Sequence, residues 1–162
     1  MSKPEIKLCF VCLGNICRSP TAEGVMQHLI DQAGLSRQIE IDSAGTGAYH
    51  VGERADPRSR NEAMRHGVEL ASRARQFLVE DFDKFDYVLA MDRANHRDLE
   101  ELAMGPQHLG KLHLLRSFDP ASGRDLDVPD PFYDDDGFAR VYAICHAGCT
   151  GLLAYIREQH NL

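Results

Sequence analysis

Cys12 and Arg18 stand with five residues between them in Cys12-Leu13-Gly14-Asn15-Ile16-Cys17-Arg18-Ser19. That spacing suits a loop folded around an anion with a nucleophile in its floor. A thiolate is a far better nucleophile than a thiol, so the surroundings of the sulfur decide its chemistry. A guanidinium nearby and a set of inward-pointing backbone N–H groups stabilise a thiolate and attract phosphate oxygens for the same electrostatic reason. Taken alone, Cys12 reads more simply as a small buried hydrophobe and Arg18 as a surface charge. Gly14, Arg18 and the Ser19-Pro20 pair arriving in register shift the balance to phosphate chemistry. The segment is not a nucleotide-binding P-loop, which needs a second glycine followed by Lys and Ser or Thr.

A cysteine attacking a phosphate monoester needs a proton for the departing oxygen, and Val128-Pro129-Asp130-Pro131-Phe132-Tyr133 offers one. Prolines on both sides restrict the backbone and disfavour helix, so the Asp130 carboxyl sits on a stiff arm from which it can act as a general acid. Other clusters carry less. Cys9 and Cys12 have C-x-x-C spacing, but residues three apart in a strand face opposite sides, so the two sulfurs should not converge. Cys145 and Cys149 fall on an apolar stripe and read as core. The eight histidines form no metal-ligand pattern, and His108 and His113 read as surface residues. Asp134, Asp135 and Asp136 read as a solvated acidic patch. No metal and no cofactor is expected.

The elements that would position these residues follow from periodicity. Strand-like runs are expected at Ile6 to Val11, Ile39 to Ser43, Phe85 to Met91 and Lys111 to Leu115. Helices are expected at Pro20 to Ala33, Arg58 to His66, Arg93 to Ala103 with Asp92 as a candidate N-cap, and Gly137 to Gln159. Gly34 and Gly67 are placed to end the first two. Ser19 is of the N-cap type, with Pro20 suited to the first helical position. The phosphate loop would then join a strand's carboxyl end to a helix's amino end, where unpaired N–H groups and the helix dipole favour an anion. The alternation implies an α/β fold with a mostly parallel sheet covered on both faces. Loop-rich stretches are Gly45 to Asp56, Ala71 to Gln76 and Phe118 to Gly137.

With 162 residues, 43% hydrophobic and 27% charged, the chain is expected to form a single domain over residues 1–162. A formal charge of −7 argues against nucleic acid as a partner. Met1 to Glu5 carries no apolar signal region, and no apolar run is long enough for membrane insertion. A cytoplasmic protein with free thiols is therefore expected, which the odd count of five cysteines also favours. The oligomeric state is left open.

These residues resemble the low-molecular-weight protein-tyrosine phosphatases along the whole chain. The matching pieces are the loop from Cys12 to Pro20, Ser43-Ala44-Gly45-Thr46, Asp56-Pro57-Arg58, Ala74-Arg75-Gln76, Met91-Asp92 and Asp130-Pro131-Phe132-Tyr133. The resemblance implies a four-stranded parallel sheet flanked by helices, and metal-independent hydrolysis of phosphotyrosine in a protein substrate through a phosphocysteine on Cys12. Arg18 and the amides of Leu13, Gly14, Asn15, Ile16 and Cys17 would hold the phosphate, and Asp130 would act as acid and then base. Asn15, Ser19 and Ser43 would shape the loop, Asp92 would support it, and Tyr49, Phe132 and Tyr133 would wall the substrate. Two departures stand out. Phe132 lacks a hydroxyl the family often has, and Ser72 stands where eukaryotic members often carry histidine, which points to a bacterial-type member.

Rival readings make different demands. An arsenate reductase on this scaffold needs further cysteines in a mobile segment, and none lies between Cys17 and Cys145. A protein-arginine phosphatase is expected to carry threonine at Ile16. A non-catalytic phosphate-binding module would have no use for Asp130.

Overall fold

In the computed structural model, residues 6–162 are described, so Met1 to Glu5 and the expectation placed on them lie outside the described residues. Four parallel strands form one sheet: β1 (Ile6–Cys12), β2 (Ile39–Gly45), β3 (Tyr87–Ala90) and β4 (Leu112–Leu114), in the order β2-β1-β3-β4. The register runs from Ile6 opposite Ile39 to Cys12 opposite Gly45, and from Leu8 opposite Tyr87 to Val11 opposite Ala90. The chain leaves β1 toward one edge and later returns to its other side, so the strand order reverses between β1 and β3. The carboxyl ends of these two strands therefore flank a crevice that no crossover covers, the usual ligand position in such sheets.

Alternation along β1 separates the two cores. Ile6, Leu8, Phe10 and Cys12 pack with α1 (Arg18–Gln32) and with Phe138–His160, the last helix, while Cys9 and Val11 pack with Phe77, Phe82, Phe85 and Leu99 on the opposite face. Each fully buried Leu or Phe contributes about 1.5–3 kcal/mol. This puts Cys9 and Cys12 on opposite faces, as a two-residue period requires. Between β2 and β4 lie four more helices: α2 (Pro57–Arg65), α3 (Asp81–Lys84), α4 (Arg93–Leu102) and α5 (Pro106–Leu109), making the last helix α6.

α6 packs closely because of two glycines. A methyl group on Gly151 would lie 1.8 Å from the Phe118 carbonyl oxygen, and one on Gly148 would lie 2.8 Å from Leu115 Cγ. Both contacts are with the 3-10 turn Leu115–Phe118 that follows β4. Cys145 and Cys149 sit fully buried on the inner stripe of α6, as core residues should.

Three expectations need correction. α1 begins at Arg18 with Cys17 at the N-cap position and no side-chain cap, so Ser19 does not cap it. The Phe85 to Met91 strand shortens to Tyr87–Ala90, because Phe85 closes α3 instead. His108 is buried: its ring stacks on Phe82 at 4.8 Å, Nδ1 accepts the Met104 N–H at 3.0 Å, and Nε2 lies 3.0 Å from Asp83 Oδ1.

Candidate active site

β1 ends on Cys12, and the chain folds back through Leu13 to Cys17 before α1 starts at Arg18. The tight return requires Asn15 to take a positive φ of 58°. A left-handed residue other than glycine needs compensation, and Asn15 obtains it from its side chain. Its Oδ1 accepts the Arg75 backbone N–H at 3.0 Å, and its Nδ2 donates to Ser19 Oγ at 2.7 Å and to Ser43 Oγ at 3.0 Å. Its own backbone N–H donates to Cys12 Sγ at 3.3 Å.

The direction of these bonds fixes what reaches the sulfur. Ser19 Oγ already accepts from Asn15, so its proton is free to point at Cys12 Sγ, 3.0 Å away, with the Ala44 carbonyl at 3.4 Å as the weaker alternative. Ser43 Oγ likewise accepts from Asn15 and donates to Glu23 Oε1 at 2.5 Å. Burial holds the Glu23 carboxyl above its ordinary range, against the lowering effect of its hydrogen bonds from Ser43 and Ser72. A continuous chain of bonds thus runs from a half-buried carboxyl through two serines and an amide to the sulfur.

Arg18 is almost wholly buried, contrary to a surface-charge reading. Its Nη1 donates to Asp92 Oδ2 at 2.5 Å and to the Val128 carbonyl at 3.0 Å, and its Nη2 lies 3.7 Å from Asp130 Oδ2. Burial alone would lower its pKa, but the Cys12 charge and the Asp92 hydrogen bond outweigh that and raise it. Asp92 uses its other oxygen to cap α4 through the Asn95 N–H at 2.7 Å. One carboxylate therefore locks both a helix start and the guanidinium.

Asp130 arrives from the loop between the 3-10 turn and α6. The Val128 N–H bonds the Met91 carbonyl at 2.8 Å, which brings the loop across the end of β3. Asp130 Oδ1 accepts the Phe132 N–H at 3.1 Å, and its side chain stays half-exposed beside Arg18.

These groups surround a cleft of about 430 Å³ lined by Cys12, Leu13, Gly14, Ile16, Cys17, Arg18, Tyr49, His50, Asp130, Phe132 and Tyr133. Cys12, Arg18 and Asp130, up to 118 positions apart in the chain, thus face one space. Tyr49 and Tyr133 are exposed at its rim, and Phe132 meets Tyr133 edge-on at 5.0 Å. Asn15, Ser19, Ser43 and Asp92 do not line it; their side chains lie behind the loop or beside Arg18 and act as supports. Burial pushes the Cys17 thiol up to about 12.

Two residues with clear geometric roles, His50 and Glu23, carried no signal in the sequence, and a third, Arg58, stood there only as part of the Asp56-Pro57-Arg58 piece with no role attached. His50 packs so closely on the loop that a methyl group on Gly14 would lie 2.9 Å from its Cδ2. Glu23 terminates the serine chain, and Arg58 ties Asp56 to the Phe132 carbonyl. The acidic patch is not purely solvated either, since Asp135 accepts from Arg58 Nη1 at 2.6 Å.

A buried arginine and a cysteine on one tight loop, at the switch point of a parallel α/β sheet, with an aspartate carboxyl across the cleft, are compatible with the chemistry of a cysteine-dependent phosphatase. Residues 7–162 match the family described as low molecular weight phosphotyrosine protein phosphatase. A low molecular weight protein-tyrosine-phosphatase from Streptomyces coelicolor is 49% identical over 155 residues, covering 94% of each chain. Among solved structures, a protein tyrosine phosphatase from Entamoeba histolytica with Hepes in its active site superposes with a TM-score of 0.90 at 39% identity, covering 95% of this chain and 98% of that one. A Drosophila arginine phosphatase superposes with a TM-score of 0.87 at 31% identity, covering 94% and 98%. The chain belongs to the low molecular weight phosphotyrosine protein phosphatase family and is a bacterial-type member of it.

Among the described residues no helix is long and apolar enough to cross a membrane, and no group of three or more His, Cys, Asp or Glu is placed to hold a metal ion.

Proposed function

We propose that the chain acts as one catalytic domain that hydrolyses phosphotyrosine in protein substrates in two steps. The Cys12 thiolate attacks phosphorus while Arg18 and the loop N–H groups hold the non-bridging oxygens. As the S–P bond forms, the P–O bond to the phenol breaks and Asp130 gives its proton to the departing oxygen. Water then attacks the phosphocysteine, loses its proton to the Asp130 carboxylate, and the S–P bond breaks to return the thiolate and release phosphate. The Ser19 hydroxyl, aimed at the sulfur, stabilises that thiolate as it leaves. Positive charge for the transition state comes from Arg18 and the backbone dipoles, fixed in place before the substrate arrives.

The observation that carries this reading is the placement of Cys12, Arg18 and Asp130 on one cleft, with Arg18 Nη2 3.7 Å from Asp130 Oδ2. A phosphate-binding module has no need for the acid across the cleft. The rings of Tyr49, Phe132 and Tyr133 line the cleft and offer an aryl group apolar contact. Ile16, on the cleft wall, presents a branched apolar surface where an arginine phosphatase would present a hydroxyl, which favours a phenyl ring over a guanidinium. Turnover of phosphotyrosine and phosphoarginine peptides, alongside arsenate reduction, separates the classes. Phosphotyrosine should be cleaved with much the highest kcat/KM, and preferential cleavage of phosphoarginine would overturn the assignment.

A further inference from the structure

The backbone around Asp130 is poorly equipped to hold itself. Pro129 and Pro131 have no N–H, so the stretch has few donors with which to anchor itself. Its carbonyls are gripped from outside instead. Arg18 Nη1 donates to the carbonyl of Val128 at 3.0 Å, and Arg58 Nη2 donates to the carbonyl of Phe132 at 3.0 Å. The two arginines thus clamp the chain two residues before and two residues after Asp130. The second clamp bears directly on the carboxyl, because Asp130 Oδ1 accepts the Phe132 N–H.

Arg58 is itself fixed from several directions. Its Nε and Nη2 form a bidentate pair with Asp56 at 3.0 and 2.9 Å, and Nη1 reaches Asp135 at 2.6 Å. Its guanidinium lies over the Phe138 ring at 4.6 Å and the Phe132 ring at 5.6 Å. Asp56 is tied to the phosphate loop, since its N–H donates to the Ile16 carbonyl at 2.8 Å. A path of direct contacts therefore runs from Ile16 in the phosphate loop through Asp56 and Arg58 to Phe132 and Asp130. A planar fork is what this geometry uses, and lysine cannot reproduce it.

We propose that Arg58 is a positioning residue for the general acid: it sets the Asp130 loop in register with the phosphate loop. The proposal rests on the assignment of Asp130 as the acid. It predicts that loss of Arg58 harms proton delivery more than phosphate binding.

The test is kcat/KM, which reports the first chemical step, for phenyl phosphate and for an activated nitrophenyl phosphate, with the parent, Arg58→Met, Arg58→Lys, Asp130→Asn and the Arg58→Met/Asp130→Asn double variant. Arg58→Met should lose on the order of tenfold or more with phenyl phosphate and much less with the nitrophenyl ester, as a displaced general acid would. Arg58→Lys should fall between the parent and Arg58→Met. Inhibition by inorganic phosphate should stay near the parent value, which also verifies that each variant is folded. In the Asp130→Asn background, Arg58→Met should cost little more. An equal loss for both esters, or the same extra loss when Asp130 is already gone, would overturn the proposal while leaving the acid in place. If Asp130→Asn itself shows no dependence on the leaving group, the acid assignment fails first and the Arg58 role falls with it. Should Arg58→Met not fold, Arg58→Lys and its Asp130→Asn double variant carry the same comparison.

Discussion

The backbone N–H of Asn15 points at Cys12 Sγ, 3.3 Å away, from a residue whose φ is 58°. The conformation that aims this donor is one that an L side chain resists by roughly 1–2 kcal/mol. The Asn15 side chain repays that cost with bonds to Arg75, Ser19 and Ser43. Asn15→Gly keeps the backbone and loses the bonds, whereas Asn15→Ala loses the bonds and keeps the strain. Urea denaturation should therefore find the alanine variant less stable than the glycine variant by about 1 kcal/mol. Both should lose kcat/KM, because Ser19 and Ser43 lose a shared donor. A more stable alanine variant would show that the loop does not need the left-handed turn.

Asp130 should matter in proportion to the basicity of the leaving group. With an unactivated phenol, whose pKa is about 10, Asp130→Asn should lose roughly 10²–10⁴-fold in kcat/KM. An activated phenol leaves without help, so its ester should lose far less. An identical loss along a series of aryl phosphates would remove Asp130 as the proton donor.

Glu23 gives the fold a pH dependence of definite sign. Burial is the main cause that holds its carboxyl above the ordinary 4.5, with Asp42 adding to it and Ser43, Ser72 and Arg75 opposing. From about pH 4.5 upward the folded protein therefore retains a proton that the unfolded chain has released. Stability from this group is fully present below that pH and is lost as pH rises through the raised folded value. Glu23→Gln still offers Ser43 an acceptor but has no proton to lose. Relative to the parent, the glutamine variant should gain stability as pH rises above 4.5 in denaturant titrations. Parallel stability curves for the two proteins would contradict this.

Cys17 lines the same cleft as Cys12, and burial keeps it a thiol at neutral pH by pushing it up to about 12. Peroxide should oxidise the Cys12 sulfur to sulfenic acid, with the peroxide O–O bond breaking and one oxygen leaving as water. Attack by Cys17 then closes a Cys12–Cys17 disulfide and expels a second water. Since the attacking form of Cys17 is scarce, closure should quicken with pH, by at most about tenfold per unit. Peptide mass spectrometry should find the disulfide in the parent and higher oxides of Cys12 in Cys17→Ser. Sulfonic acid alone at Cys12 in the parent would exclude the protective step.

What could be read from the sequence was mostly contiguous. The loop from Cys12 to Pro20 lies within nine residues, and the strand–helix alternation is written in local periodicity, so the fold class and the placing of this loop at a strand end were legible. A Ser-Pro pair suits a helix start and so marks Ser19 as a cap, yet Asn15 four residues earlier draws its hydroxyl toward the sulfur. Nothing near His108 in sequence reveals the Phe82 ring and the Asp83 carboxylate that it packs against, so its burial is not legible there. Arg58 depends on residues more than seventy positions away. Glu23 sits mid-helix and has meaning only once β2 brings Ser43 against it. The unreadable parts are those in which one polar side chain is completed by another that only the tertiary fold supplies.

In the proposed mechanism the phosphoryl group rests on Cys12 between two chemical steps. Rapid acid quench during turnover of a phosphotyrosine peptide, followed by peptide mass spectrometry, tests it directly. A phosphoryl adduct should appear on the peptide containing Cys12 and decay as phosphate is released. Cys12→Ser should show neither adduct nor turnover while still binding inorganic phosphate. Full activity in Cys12→Ser, or an adduct on another residue, would contradict the mechanism.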